Sequence, residues 1–247
     1  MRTCYPGNLG AVARAMANFG VSDLRLVEPV ADPMSAEARA MASHGEHLLD
    51  SISRHSSLQE AVADCVWVAC TSARTGGLFR DQNVVSMREG ALLAARYAEC
   101  GKIALVFGPE DHGLTNDEIS KCHYLLTIPA DSTYGVLNLS QAVVIALYEL
   151  HQVTGARITT QTNAQLPTMD ELNRMFNHLE EALRAVHFVW GEKGPSVFHA
   201  LRHVISRAEP NLLETKLLHG LARQLLWYVN RHPCTEETNM PPDEQEA

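Results

Sequence analysis

The sequence predicts an α/β domain with a parallel sheet and helices on both faces, followed by a small all-helical domain. Three observations carry this prediction. Short β-rich runs alternate with helical stretches over residues 20–150. Those runs are continuously apolar, which is typical of strands that are buried on both faces. Beyond residue 167 the remaining pattern is helical.

The first predicted element is a helix over residues 8–20, with Asn8 as its N-cap and Gly20 as its C-terminal stop. A strand should precede this helix in an α/β unit, but only the short segment MRTCY is available. Either the start is misassigned or the sheet loses a strand. The buried stripe of the helix is expected to contain Leu9, Val12, Ala13 and Met16.

Strands and helices then alternate as far as residue 150. Capping boxes predict helix starts where Ser57 precedes Glu60 and where Thr115 precedes Glu118. Asn138 is expected to cap the helix after the last strand, with an amide side chain three residues later. The predicted strands are 23–29, 65–71, 102–108 and 124–130.

Three helices complete the chain, near 168–190, 195–208 and 210–231. Thr168 and Glu171 form a capping box for the first of them, and Pro210 is expected at position N1 of the last. The predicted organisation is a first domain over 1–153, a linker over 154–167, a helical domain over 168–232 and an acidic, disordered tail over 233–247.

Composition narrows the class of protein. The chain has 247 residues, 46% of them hydrophobic, yet no apolar run reaches the length of a membrane span. The first residues lack the apolar segment of a secretory signal. Six cysteines without a C-x-x-C pair suggest reduced thiols in a cytoplasmic protein.

The net charge is −9, but the positive and negative charges are unevenly distributed along the chain. Residues 184–232 hold seven Lys/Arg against three acids, whereas the tail holds five acids and no Lys/Arg. A basic segment of this kind fits a nucleic-acid partner, and a solvated helical face explains the charges equally well.

Polar, glycine-containing loops follow three of the predicted strands: CTSARTGG, FGPEDHGLTNDE and IPADSTYGVLNLS. Ligands of open α/β sheets bind at the carboxyl ends of strands, so these loops predict one pocket. Neither a G-x-G-x-x-G run nor a P-loop occurs, which argues against a dinucleotide or nucleoside triphosphate. The pairs His44/His47 and His199/His203 supply too few ligands for a metal site, so we predict none.

Three motifs in order resemble those of the TrmH-type SPOUT RNA methyltransferases: PGNLGAVARAMANFG, VFGPEDHGLTNDEISKCHY and IPADSTYGVLNLSQAV. The TSAR loop and the helical C-terminal extension resemble the TrmJ group more narrowly. This resemblance implies a C-terminal trefoil knot, an exception to the rule against knots, a homodimer and the cofactor S-adenosylmethionine. It also implies methylation of the ribose 2′-hydroxyl at nucleotide 32 of tRNA.

The resemblance also assigns candidate residues. Catalytic roles carry over to Arg14, Glu110 and Asn138, with Arg14 expected to clamp a phosphate and stabilise alkoxide charge, since a guanidinium keeps its proton. RNA contacts are expected from Arg14, Arg74, Arg202 and Arg207, mainly to phosphates. The expected cofactor-binding residues are Thr71, Ser72, Ala73, Gly108, Ile128, Gly135, Val136 and Leu137.

Several alternatives stay open at this stage. The same fold could methylate rRNA, although the helical domain favours tRNA. A non-catalytic RNA-binding protein with the same knot is favoured by the short first strand and by Val136, since the family commonly has serine at that position. A Rossmann-like oxidoreductase is the third alternative.

Overall fold

The computed structural model describes residues 1–74, 83–131, 133–155 and 166–231. Two compact units emerge: Met1–Asn163 with Thr168–Asp170, and Ala164–Pro167 with Glu171–Ala247. Most of the predicted linker and the whole acidic tail lie outside the described residues, so those two predictions stay predictions.

The first unit contains parallel strands interspersed with helices. One sheet has the order β4-β6-β3-β5, and β1 and β2 pair separately. The predicted parallel α/β class is confirmed. In the described part the strands are β1 (Arg25–Val27), β2 (Ser53–His55), β3 (Cys65–Thr71), β4 (Val84–Ser86), β5 (Lys102–Val106) and β6 (Tyr124–Thr127).

Seven α-helices are described in the first unit and three in the second, which confirms a helical C-terminal region. No helix among the described residues is long and apolar enough to cross a membrane. The first set is α1 (Pro6–Asn18), α2 (Ala36–Ala42), α3 (Glu46–Asp50), α4 (Leu58–Ala61), α5 (Met87–Ala98), α6 (Asn116–Ser120) and α7 (Leu139–Gly155). The second set is α8 (Met169–Ala185), α9 (Gly194–Arg207) and α10 (Leu212–Arg231).

The start of α1 corrects one prediction. The helix begins at Pro6, with Tyr5 as its N-cap, so Asn8 lies inside the first turn and does not cap it. Proline suits this position because its fixed φ is helical and its missing N–H has no helical partner. The predicted end is confirmed: the helix stops at Asn18, and Gly20 follows with φ +70°. All four apolar residues predicted for the buried stripe are buried.

Capping explains two further helix starts. The box of Thr115 and Glu118 is confirmed in both directions. The Ser57 hydroxyl accepts the N–H of Glu60 as expected, but the Glu60 carboxylate accepts from the N–H and hydroxyl of Ser56 instead. The second half of this predicted box is therefore wrong.

The last helix also begins later than predicted. Asn211 caps α10, because its side-chain oxygen accepts the N–H groups of Leu213 and Glu214 at 2.9 and 3.0 Å. The Glu214 carboxylate accepts the N–H of Asn211 in return. Pro210 therefore precedes the cap and does not occupy position N1.

The segment Met1–Thr3 takes the place of the short first strand. The amino group of Met1 donates to the carbonyl of Phe107 at 3.0 Å, and the N–H of Arg2 donates to the carbonyl of Val27 at 2.8 Å. The segment thus connects the end of β5 with the end of β1. Among the described residues the two sheets remain separate.

An ion pair between Arg2 and Glu118 holds the segment Met1–Thr3 in place. The Arg2 guanidinium donates to both carboxylate oxygens of Glu118, at 2.6 and 3.0 Å, and Glu118 is only 8% exposed. Burial raises the pKa of Glu118, but hydrogen bonds from Arg2 and Thr115 outweigh burial, and the net pKa is lowered. The carboxylate therefore contributes stability at pH values above its ordinary pKa. This contribution is lost as the pH falls through the lowered pKa.

We expect Arg2→Ala to lower the free energy of unfolding at pH 7 by about 2 kcal/mol, because it leaves a buried carboxylate unpaired. Urea unfolding at pH 7 and at progressively lower pH measures the effect, which should shrink as the pH falls through the lowered pKa of Glu118. The control is Arg39→Ala, whose exposed pair with Asp50 should contribute under about 1 kcal/mol. Equal losses for the two variants would contradict a role for burial.

Candidate active site

One cleft lies at the carboxyl ends of β3, β5 and β6, where the three polar loops were predicted to meet. Its walls come from residues 71–74, 107–114 and 135–137, with further contributions from β6 and α7. All eight residues predicted to bind cofactor line it: Thr71, Ser72, Ala73, Gly108, Ile128, Gly135, Val136 and Leu137. The structure brings them together, and their role stays a prediction.

Backbone pairing shapes the first wall. The N–H of Ser72 donates to the carbonyl of Leu126 at 3.2 Å, which extends the pairing of β3 and β6 past the end of β3. The Ser72 hydroxyl donates to the carbonyl of Arg74 and accepts its N–H, both at 3.0 Å. This tight turn leaves Arg74 exposed at the rim of the cleft.

Glu110 fastens the second loop to the start of α1. One carboxylate oxygen accepts the N–H of Cys4 at 2.9 Å, and the other accepts the side-chain amide of Asn8 at 2.9 Å. Both contacts join residues more than a hundred positions apart in the chain. Within the described residues, Glu110 therefore positions α1 and does not meet Arg14.

Asn138 connects the third loop to the same point. Its side-chain N–H₂ donates to the Asn8 oxygen at 2.9 Å, and its own oxygen accepts the N–H of Ser140 at 2.9 Å. The N–H of Asn138 donates to Gln141 at 3.2 Å. The predicted cap of α7 is thus confirmed, with Ser140 in place of Gln141 as the donor to the cap.

A chain of hydrogen bonds therefore runs from Glu110 through Asn8 to Asn138 and joins all three motifs. The direction of each bond is consistent, because Asn8 donates through its nitrogen to a carboxylate and accepts through its oxygen. Sequence reasoning missed Asn8 as a site residue because an asparagine near a helix start resembles a cap. The signal that could have revealed it was Pro6, because a proline at the first helical position places the cap at Tyr5, three residues before Asn8.

Arg14 lies on the exposed side of α1. In the described parts of the chain its guanidinium has no hydrogen-bond or ion-pair partner. Two large apolar side chains near the cleft are also exposed, Tyr134 at 84% and Val136 at 63%. At the rim His112 pairs with Asp111 at 2.6 Å.

The predicted RNA-binding residues of the helical unit differ in their surroundings. Arg202 donates to the Asn173 oxygen at 2.7 Å, and its guanidinium lies 4.4 Å from the centre of the Phe176 ring. These contacts hold it against α8. Arg207, in the last turn of α9, is exposed and is the better placed of the two to reach a phosphate.

Comparison with known families identifies this architecture. A profile of the SpoU rRNA methylase family matches residues 2–148, which is more than half of the chain. The chain belongs to the SpoU methylase family. A second profile, of the TrmJ tRNA methyltransferase C-terminal domain, matches residues 170–236, so this SpoU member carries a TrmJ-type helical extension. The resemblance read from the three motifs is confirmed.

Curated relatives of this SpoU methylase share most of its length. The tRNA (cytidine/uridine-2′-O-)-methyltransferase TrmJ of Yersinia enterocolitica is 37% identical over 90% of this chain and 87% of its own. The protein of the same name from Cronobacter sakazakii is 35% identical over 94% of this chain and 96% of its own.

Solved structures agree with the fold. TrmJ from Z. mobilis ZM4 matches with a TM-score of 0.78 and 30% identity over 91% of this chain and 96% of that one. A structure described as showing 2-OH methylation of C/U34 on tRNA matches with a TM-score of 0.51 and 28% identity. It covers 63% of this chain and 93% of that one.

Proposed function

We propose that this SpoU methylase transfers a methyl group from S-adenosylmethionine to a ribose 2′-hydroxyl of tRNA, in the anticodon loop at nucleotide 32. The observation that carries the proposal is the cleft at the carboxyl ends of the strands, whose three motifs are joined through Asn8. Full-length relatives that are named as tRNA 2′-O-methyltransferases support the reaction and the substrate.

The cleft fits the proposed cofactor in chemical type. Ile128, Val136 and Leu137 offer an apolar wall for an adenine ring, and the glycines beside them leave backbone groups accessible for hydrogen bonds. The sulfonium of the cofactor supplies an activated methyl group. The protein then has to hold the 2′-oxygen in line with that methyl while water is excluded.

The reaction requires few chemical roles of the protein's side chains. Bound S-adenosylmethionine would supply the methyl group for the new bond to the ribose 2′-oxygen and would leave as S-adenosylhomocysteine, while the residues of this chain would hold the 2′-hydroxyl as its proton departs. Arg14 is proposed to clamp a neighbouring phosphate and to stabilise the negative charge that develops on the 2′-oxygen. Glu110 and Asn138 are proposed to position α1 and the cofactor loop through Asn8.

Replacement of Asn8 tests this positioning role. We expect Asn8→Ala to lower kcat for methyl transfer by roughly tenfold to a hundredfold, because α1 and the third motif lose their shared anchor. Steady-state kinetics with tRNA measure the effect, and thermal unfolding checks that the protein stays folded. Asn18→Ala, at the exposed end of α1, is the matched control and should leave kcat unchanged. Equal kcat for the two variants would remove Asn8 from the site.

A homodimer is part of the proposal. Exposed apolar side chains occur on the same unit as the unpartnered Arg14, including Tyr5 at 59%, Val144 at 42% and Tyr148 at 48%. A dimer interface formed by these side chains would bury apolar surface. It would also give the exposed Arg14 a position in an active site. Sedimentation equilibrium should give twice the chain mass of 27.2 kDa. We also propose a cytoplasmic location and the trefoil knot of the resemblance.

The helical unit favours TrmJ-type substrate choice. The C/U34 structure covers 93% of its own chain while matching only 63% of this one, whereas the TrmJ relatives extend over 90% or more. The TrmJ C-terminal profile covers residues 170–236, and we propose that this helical unit accounts for the difference, selects nucleotide 32 and binds tRNA phosphates. Arg74 at the cleft and Arg207 on α9 are the proposed contacts.

Methyl transfer from labelled S-adenosylmethionine to bulk tRNA and, separately, to rRNA is the test of function. Label in tRNA alone supports the proposal, whereas label in rRNA alone would show that rRNA is the substrate instead. Cofactor binding without transfer to either RNA would favour the non-catalytic protein that Val136 suggests.

A further inference from the structure

The segment that leads into Asn138 carries an aromatic side chain that the proposed reaction does not use. Tyr134 is 84% exposed, more than any other large apolar side chain in the described part of the chain. Single exposed apolar residues are common on protein surfaces, so its position decides whether it has a role. That position is two residues before Val136, which lines the cleft and is itself 63% exposed.

Exposure alternates along this segment. Tyr134, Val136 and Asn138 are exposed, whereas Gly135 and Leu137 between them are half-buried. A period of two is typical of an extended backbone, in which every second side chain points to the same side. Tyr134 therefore lies on the same side of the backbone as Val136, at the mouth of the cleft. The two residues are about 7 Å apart, since an extended chain rises by roughly 3.3 Å per residue.

Hydrogen bonds hold both ends of this segment in place. At one end the Thr133 N–H donates to the Asp131 carboxylate at 2.8 Å, and the Tyr134 N–H donates to the Asp131 carbonyl at 3.3 Å. At the other end the side-chain amide of Asn138 donates to Asn8. Tyr134 is thus presented by a preformed loop, so a ligand that stacks on its ring causes little further loss of conformational entropy.

We propose that Tyr134 stacks on the unpaired base of the nucleotide whose ribose enters the cleft. Loop bases of RNA that are not stacked in a helix commonly stack on aromatic side chains of proteins. Arg74, which is exposed at the rim of the same cleft, would neutralise a phosphate beside that nucleotide. The inference rests on the proposed tRNA substrate, but it does not depend on methyl transfer.

Stacking also explains how one site could accept two pyrimidines. Hydrogen bonds to the edge of a base distinguish cytidine from uridine, whereas stacking tolerates both because every base has a π-face. The curated relatives are named for cytidine and uridine together. We therefore expect Tyr134→Ala to weaken tRNA binding by the same factor whether the target nucleotide is a cytidine or a uridine.

A double-mutant cycle between protein and tRNA is the test. Anisotropy titrations compare the native chain with Tyr134→Ala on dye-labelled, full-length tRNA. The tRNA is either intact or lacks one base of the anticodon loop, with the ribose kept, at each loop position in turn. Stacking predicts about tenfold weaker binding of intact tRNA by Tyr134→Ala. It also predicts one position where base removal weakens binding by the native chain about tenfold but leaves binding by Tyr134→Ala unchanged.

Three further variants identify the interaction. Tyr134→Phe keeps the ring and should bind as the native chain does, whereas Tyr134→Leu keeps apolar surface without a ring face and should bind like Tyr134→Ala. Val30→Ala removes another large apolar side chain, 72% exposed, and should leave binding unchanged. Sedimentation of each variant checks the oligomeric state, because an exposed apolar ring also suits contact with a second copy.

Additive losses at every loop position would overturn the stacking proposal, and so would native-like binding by Tyr134→Ala or by Tyr134→Leu. A change of oligomeric state in Tyr134→Ala would overturn it too, because the ring would then contact a second copy. Coupling at a loop position other than nucleotide 32 would support stacking and contradict the proposed target nucleotide. A native chain that binds no tRNA would overturn both the proposed substrate and the stacking.

Discussion

Replacing Arg14 by alanine is expected to lower methyl transfer to tRNA by about a hundredfold or more, while cofactor affinity stays unchanged. The guanidinium is exposed on α1, and its removal leaves the buried stripe of the helix intact. Folding should therefore be unaffected. Single-turnover rates with labelled cofactor measure the loss, and calorimetric titration with S-adenosylhomocysteine measures the binding.

Two further variants sharpen this experiment. Arg14→Lys retains the charge but loses the planar fork of donors, so its rate should fall between those of the native chain and Arg14→Ala. Arg54→Ala removes an exposed arginine on β2 and should leave the rate unchanged. A rate for Arg14→Ala within about threefold of that for Arg54→Ala would remove Arg14 from the catalytic machinery.

Gly108→Ala is expected to weaken cofactor binding by about a hundredfold, because the second loop folds back on itself at this glycine. A Cβ at residue 108 would lie 2.6 Å from the backbone nitrogen of Leu114 and 2.7 Å from the carbonyl carbon of Gly113. Both contacts are backbone atoms, which cannot rotate away. The loop would have to move, and Glu110 would move with it.

The matched control is Gly220→Ala on α10. A Cβ there would meet nothing within 4 Å, and alanine is a better helix former than glycine, so this variant should gain stability and bind cofactor normally. Calorimetric titration with S-adenosylhomocysteine compares the two. Unchanged affinity in Gly108→Ala would mean that the cofactor does not touch this loop.

Local sequence rules predicted much of the fold. The long apolar run of β3 was predicted with its observed bounds, because seven consecutive residues without a charge or a turn former leave little ambiguity. β2 and β4, with three residues each, are too short to show a periodic pattern and were missed. The starts of α1 and α10 were misplaced because proline and asparagine compete for adjacent positions at helix starts.

The candidate site depended on information beyond local rules. The loops that form the cleft could be predicted, because parallel strands present their carboxyl ends at one edge. The link from Glu110 to Asn8 spans 102 positions and has no local signature. The motif resemblance supplied the residue types of the site, and the structure supplied their connections.

The most direct test of the proposed function is to map the methyl group on tRNA that the purified chain has modified. An anticodon loop transcript is incubated with S-adenosylmethionine, and alkaline hydrolysis then cleaves every bond except those that follow a 2′-O-methylated ribose. The account predicts one protected position, at nucleotide 32, that is absent with Arg14→Ala. Protection at another nucleotide, or a methyl group on a base, would contradict it.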